Sequence, residues 1–440
     1  VTSPSARLDG LRFSRPHLRV LTGSGLGWAL DAMDVGLISF IIAALAVEWE
    51  LSGGTTGWIT SVGFIGMAIG ASLGGLLADK LGRRQVFALT LLIYGVATGA
   101  SALVGGVGML LVLRFLVGLG LGSELPVAST YVSEFAPARI RGRLVVILEA
   151  FWAVGWTLSA VIGYLVVPLE NGWRWAFAIG AIPAIYAIVV RWGLPESARW
   201  LESKGRIAEA EKVVQLFEGG RAPSEAAVAP AASPAPAAPR GPTGVRGLFA
   251  GGLARRTVAL WAVWFCVNFS YYGAFIWIPS ILVAQGFDLL RSFEYTLIIT
   301  LAQLPGYAVA AWLIEVWGRR ATLSAFLVGS AGAAMLFGTA GEVWQILVFG
   351  CLLSFFNLGA WGALYAVSPE IYPTSTRATG AGWAAGVGRI ASIIAPLFTP
   401  WALEVGGAGL VFTVFAVFFA IAAATAWGLG DMKGRVLDAS

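Results

Sequence analysis

The chain has 440 residues, 58% hydrophobic and only 12% charged, whereas a soluble domain carries about 45–50% apolar and about 25% charged residues. Water is not its main solvent. One histidine and two dispersed cysteines, Cys266 and Cys351, supply no metal cluster, disulfide framework or nucleophile–base pair, and the net charge of +5 follows from loop charges rather than from a nucleic-acid surface.

Residues 1–19 form a basic leader with Arg7, Arg12, Arg15 and Arg19, in which His17 is expected to be solvated. The apolar run behind it is too long for a signal peptide and lacks a cleavage site, so it reads as an uncleaved first helix. Segments 26–47, 58–78, 86–104, 144–167 and 410–429 are each near the roughly 20 residues that cross a bilayer at 1.5 Å per residue. About twelve such segments follow one another along the chain. Gly66 and Gly70 in the second, and Gly118, Gly120 and Gly122 in the fourth, are spaced for close helix packing. On the alternating topology only Arg174 and Arg291 fall in outer loops, and Arg114 and Arg389 fall within helices; the other 25 of the 29 basic residues lie on one side. Positive charge marks the cytoplasm, which predicts both termini there.

In the middle of the chain, residues 195–217 mix charged and apolar positions at helical spacing. They predict a short amphipathic helix with Trp200, Leu201, Ile207, Val213, Val214 and Leu216 on its apolar side. The Ala/Pro-rich stretch 218–247 cannot build a core and reads as an extended linker. The predicted organisation is a leader at 1–19, a six-helix bundle at 20–193, a cytoplasmic linker at 194–255, a second six-helix bundle at 256–430 and a cytoplasmic tail at 431–440.

The halves repeat. Asp79-Lys-Leu-Gly82-Arg83-Arg84 returns as Glu315-Val-Trp-Gly318-Arg319-Arg320, and Glu134, Pro137 and Arg141 return as Glu370, Pro373 and Arg377, all at an offset of 236 residues. Two copies of a six-helix unit related by an axis along the membrane normal give this pattern. These loops, Arg114-Phe-Leu-Val-Gly118 in the fourth helix and Pro195-Glu-Ser-Ala-Arg199-Trp-Leu201 after the sixth resemble the major facilitator superfamily. Leu30-Asp31-Ala-Met-Asp34-Val-Gly and Gly122-Ser-Glu124-Leu-Pro are similar to bacterial metabolite/proton symporters, including the niacin transporter group, and to animal organic-ion transporters. The resemblance implies an all-α polytopic membrane protein of twelve transmembrane helices that works by alternating access, without cofactor or metal.

Six charges sit inside apolar runs, where an ionised group costs about 2.5–3.5 kcal/mol at the helix centre. Asp31 and Asp34 share a helix face and are expected to look toward one partner. The resemblance supplies Arg114, which that superfamily places beside the first helix. A change of pairing could then load or release a proton; a static salt bridge is the alternative. Glu124 reads as a gate residue or a second proton site. The loop charges Asp79, Arg83, Arg84, Glu134 and Arg141, with Glu315, Arg319, Arg320, Glu370 and Arg377, are expected to form a cytoplasmic gate, or merely to set topology.

Substrate contacts are expected from several faces. Glu149, Trp152, Trp156, Ser159 and Gly163 form one stripe, with lipid-facing tryptophan the alternative. Trp264, Asn268, Tyr271, Tyr272 and Phe275 form another, Thr300, Gln303 and Tyr307 a third, and Ser354, Asn357, Trp361 and Tyr365 a fourth. Together they describe an aromatic box with amide and hydroxyl handles. Arg389 lies about 14 Å into the eleventh helix, counting about nine residues, and its guanidinium suits a planar carboxylate; pairing with Glu149 is the rival. In the organic-ion transporters that this segment resembles, a basic residue here accompanies anion transport. The reading is a monomeric, proton-coupled symporter of a small organic anion such as nicotinate in a bacterial inner membrane. An organic cation bound by Glu149 or Asp34, a sugar/proton symporter and a non-transporting receptor compete. Asn268-Phe-Ser-Tyr271-Tyr272-Gly stands where sugar porters carry a glutamine-rich cluster.

Overall fold

The computed structural model describes residues 4–137, 140–219, 245–250, 252–368, 371–372 and 377–430, and among these regular structure is helical throughout. The first stretch holds α1 (Pro4–Gly10), α2 (Arg15–Glu48), α3 (Gly53–Leu81), α4 (Arg83–Ser101), α5 (Val107–Phe135), α6 (Arg141–Leu165), α7 (Gly172–Ile179) and α8 (Ile182–Gly193). The short helices α9 (Ala198–Ser203) and α10 (Ile207–Phe217) follow. Beyond the linker come α11 (Ala254–Phe275), α12 (Ile278–Ala284), α13 (Leu289–Leu301), α14 (Gln303–Trp317), α15 (Arg319–Gly338), α16 (Val343–Val367) and α17 (Arg377–Ala426).

Among the described residues ten helical segments are long and apolar enough to cross a membrane. Large apolar side chains lie on the surface, Leu103 at 86% and Trp192 at 78% exposure, as a hydrocarbon surrounding permits. Several helices are interrupted for identifiable reasons. Pro305 has no N–H to offer the carbonyl of Leu301, and the helix breaks there into α13 and α14. α17 contains Pro396 and Pro400 and bends at Gly407, whose φ of +63° is left-handed.

The chain divides into two compact units. The first comprises the residues up to Gly36, Val62–Ser159 and the stretch from Asn171 into the linker; the second comprises Leu37–Ser61, Ala160–Glu170 and the remainder. In the first unit α3 and α5 touch backbone to backbone: a Cβ on Gly118 would run into the carbonyl of Gly63, and one on Gly66 into that of Phe115. The small-residue spacing seen in the sequence therefore marks a helix seam. In the second unit, Ser61 Oγ of α3 donates to the Ile393 carbonyl of α17 at 2.8 Å, and Phe40 packs edge-on against Phe293.

The internal repeat extends to the backbone. Gly82, between α3 and α4, has φ +108°, and Gly318, between α14 and α15, has φ +89°, so both copies of the loop turn through a conformation that glycine alone adopts without strain.

Two expectations are corrected in the first unit. Within the leader, α1 buries Leu8, and Arg7 donates to Glu211 at 2.7 and 3.2 Å and to Glu218 at 2.9 and 3.1 Å. His17 is not solvated but 3% exposed, hydrogen-bonded through Nδ1 to Ser14 and packed between Phe13 and Phe217. The amphipathic segment is two helices, α9 and α10, separated by Gly205 with φ +72°. Trp200, Leu201 and Val214 are buried as expected, but Ile207 and Leu216 are exposed, and Ala210 and Phe217 complete the apolar face instead. Residues 220–244 of the linker and the tail 431–440 lie outside the described residues.

Candidate transport site

α2 brings Asp31 and Asp34 into the interior of the first unit, and α5 brings Arg114 and Glu124; all four are buried. Asp34 Oδ2 stands 3.3 Å from Arg114 Nη1, and its Oδ1 accepts from Thr98 Oγ1 of α4 at 2.7 Å. Asp31 takes no part in that pair. It neighbours Glu124 and Tyr94 instead, the three polar groups facing one another in the buried interior. The two aspartates therefore do not share a partner, because one helical turn separates them along the axis. Gly27, one turn before Asp31, leaves the room: a Cβ there would come within 2.8 Å of Glu124 Oε1. Tyr94 and Thr98 were missed in the sequence, although two polar groups four apart in an apolar helix are a readable signal.

On α6, Glu149 is partly buried. Trp152 lies between Trp28 and Trp156, with ring centroids at 5.0 and 6.1 Å. Trp156 is 2% exposed, so the lipid-facing alternative fails for it. Trp28, unnoticed in the sequence, supplies the other half of this indole wall.

The second unit gathers the aromatic box. Trp361 of α16 meets Trp264 and Tyr271 of α11 edge-to-face at 5.7 and 5.6 Å and stacks on Tyr365 at 5.6 Å. Tyr271 in turn meets Tyr272 and Phe275, each at 5.0 Å. Trp264 Nε1 donates to Ser368 Oγ at 2.9 Å. Asn268 is held at both ends, its amide donating to the Trp264 carbonyl at 2.7 Å and its oxygen accepting from Ser392 at 3.1 Å. Those bonds make Asn268 a brace within the box. Arg389 on α17 lies against Tyr272. It is twelve residues beyond the start of α17, about 18 Å along the helix, deeper than the sequence spacing suggested. Gln303 and Asn357 are fully buried, and their amide atoms have no partner among the described residues.

The loop charges of the first unit form one network. Arg83 bridges Asp79 at 2.6 Å and Glu134 at 3.2 Å, and Glu134 accepts from Ser197 Oγ. Glu196 Oε1 accepts from the Arg84 backbone at 3.0 Å, while the Arg84 guanidinium donates to the Leu194 carbonyl at 3.2 Å. Trp200 Nε1 donates to the Asp79 carbonyl at 3.1 Å, and Arg199 pairs with Asp9 at 2.7 Å. Glu196, Ser197 and Asp9 were not singled out in the sequence, where the Pro195–Leu201 motif and the loop charges read as separate features. In the other copy Arg320 stacks over Trp427 at 4.7 Å, and Arg319 opens α15 beside it. Glu370 lies outside the described residues, as do the side chains of Arg141, Glu315 and Arg377.

A family model described as sugar (and other) transporter matches residues 31–438. The chain belongs to this family of the major facilitator superfamily. It is 48% identical over 438 residues to the niacin transporter NiaP of Acinetobacter baylyi, covering 98% of each chain. It is 47% identical over 409 residues to the putative niacin/nicotinamide transporter NiaP of Bacillus subtilis, covering 92% of this chain and 94% of that one. Among solved structures, the xylose transporter XylE from E. coli in a partially occluded inward open conformation superposes with a TM-score of 0.78 at 21% identity, over 96% of this chain and 100% of that one; this likeness concerns the fold. As a family member the chain is a multi-pass membrane transporter.

Proposed function

We propose that this transporter carries nicotinate together with protons by alternating access. Similarity along nearly the whole chain to one relative named a niacin transporter and another named a putative niacin/nicotinamide transporter supports the substrate. Within the structure, one observation carries the reading: Arg389 stands against Tyr272 at the edge of an aromatic wall. Nicotinate is a flat ring bearing a carboxylate. A permanently charged, forked guanidinium suits the carboxylate, and edge-on or offset rings suit the pyridine face. The same arginine favours the acid over the neutral amide.

Moving an anion inward opposes an inside-negative potential by about 2.3 kcal/mol per charge per 100 mV; one proton per nicotinate removes that penalty. Asp34, held by Arg114 and Thr98, is the proposed proton carrier, because protonating it would free Arg114 and alter the contact between α2 and α5. Asp79, Arg83 and Glu134, with Arg319 and Arg320 at the repeated loop positions, are the proposed gate residues. Adding α4 and the second limb of α17 to the ten spans gives twelve crossings, with both termini cytoplasmic by the distribution of positive charge. The working unit is a monomer in the inner membrane.

Proteoliposome uptake tests this. An inward proton gradient should drive accumulation of labelled nicotinate; accumulation of a quaternary amine or a hexose in its place would remove the anion assignment.

A further inference from the structure

Four side chains of the second unit hold six buried polar atoms without a hydrogen-bond partner among the described residues: both amide atoms of Gln303 and of Asn357, the Ser354 hydroxyl and Trp361 Nε1. A buried polar group left unsatisfied costs about 1–3 kcal/mol, and native proteins carry few of them. These are not scattered. Ser354, Asn357 and Trp361 recur at steps of three and four along α16 and so share a face.

Gln303 belongs to the same seam. α14 and α16 are in contact, since a Cβ on Gly306 would run into the carbonyl of Phe355, and one on Gly362 would lie 3.3 Å from the Tyr307 ring. Gln303 sits one turn before Gly306 at the opening of α14, where Pro305 interrupts the helix, and Ser354 is adjacent to Phe355. From Trp361 the aromatic wall runs through Tyr271 to Tyr272 and thence to Arg389. The orphaned row and the guanidinium therefore stand at two ends of one wall.

We propose that this row is a second polar subsite that reads the ring heteroatom of a planar heteroaromatic acid: an N–H of Gln303 or Asn357 donates to the ring nitrogen while Arg389 holds the carboxylate. The inference rests on the nicotinate reading and adds to it the discrimination between a pyridine and a benzene ring. A benzene ring pressed against the row would leave every donor unpaired, whereas a pyridine nitrogen accepts from one of them. A site built to hydrogen-bond a substrate atom rejects the analogue that lacks it more strongly than a pocket distinguishes sizes.

Titration calorimetry on the purified full chain, with nicotinate and benzoate as ligands, tests it. These acids differ by one nitrogen in place of C–H. The unaltered chain should bind nicotinate about tenfold tighter or more. In the Gln303→Met/Asn357→Leu double variant, nicotinate affinity should fall to the benzoate level while benzoate affinity holds. Equal affinities on the unaltered chain overturn the subsite and leave the carboxylate assignment standing, as does a double variant that keeps the preference. Binding of neither acid overturns both readings. The comparison on the unaltered chain decides even if the variant does not fold.

Discussion

Arg114 of α5 reaches Asp34 of α2 at 3.3 Å, while Asp31, one turn earlier on the same helix, stands beside Glu124 instead. Two adjacent acids thus occupy different electrostatic settings. One is paired with a cation and a hydroxyl; the other faces a second carboxyl. The predictions for them differ accordingly.

Asp34→Asn keeps a hydrogen-bonding group opposite Arg114 but removes the carboxylate proposed to carry the proton. Counterflow exchange of nicotinate should persist, while gradient-driven accumulation should be lost. Intact accumulation would exclude Asp34 as the obligatory proton carrier.

Arg114→Ala leaves Asp34 buried without its cation, a change that costs about 3–5 kcal/mol when a buried pair is broken from one side. Thermal unfolding in detergent should show the loss, and adding Asp34→Asn should recover part of it. Additive losses in the double variant would mean that the two residues are not energetically paired.

Glu124→Gln should behave in the opposite way. It removes one of two neighbouring carboxyls that have no cation between them among the described residues, so like-charge repulsion disappears. Unfolding temperature should hold or rise. A fall comparable to that of Arg114→Ala would contradict this account of the pair.

At the first helix, the Arg7 guanidinium holds the Glu211 carboxyl below the usual glutamate value through their hydrogen bonds. A value depressed on folding contributes stability that is complete above the ordinary pKa of about 4.3 and is lost as pH falls through the lowered value. Arg7→Ala should cost about 1 kcal/mol near neutral pH, the scale of a partly exposed ion pair. The difference from the unaltered chain should shrink as the pH drops below about 4. A gap that widens on acidification would reverse the sign of the linkage.

Hydropathy and the 236-residue offset disclose much of this architecture because both depend on local composition: apolar runs follow from bilayer thickness, and Gly82 and Gly318 mark the same left-handed turn. The aromatic box could be read from helical periodicity, since Trp264, Asn268, Tyr271 and Phe275 share a face of one helix. Partnerships between helices are a different matter. Spacing places Asp31 and Asp34 on one face, but only packing decides that Thr98 of α4 meets one and Tyr94 of α4 neighbours the other. Trp28 and Trp152 meet across α2 and α6 for the same reason. The basic flanking sequence of His17 suggests solvent, whereas Phe13 and Phe217, the latter 200 residues beyond His17, enclose it.

The central claim is that Arg389 anchors the carboxylate of a cotransported aromatic acid. Nicotinate binding and proton-driven uptake by Arg389→Ala and Arg389→Lys in proteoliposomes test it most directly. The account predicts abolished binding in the alanine variant with folding intact, and a partial defect in the lysine variant, which keeps the charge but loses the fork. Undiminished nicotinate affinity in Arg389→Ala would contradict it and move the site elsewhere.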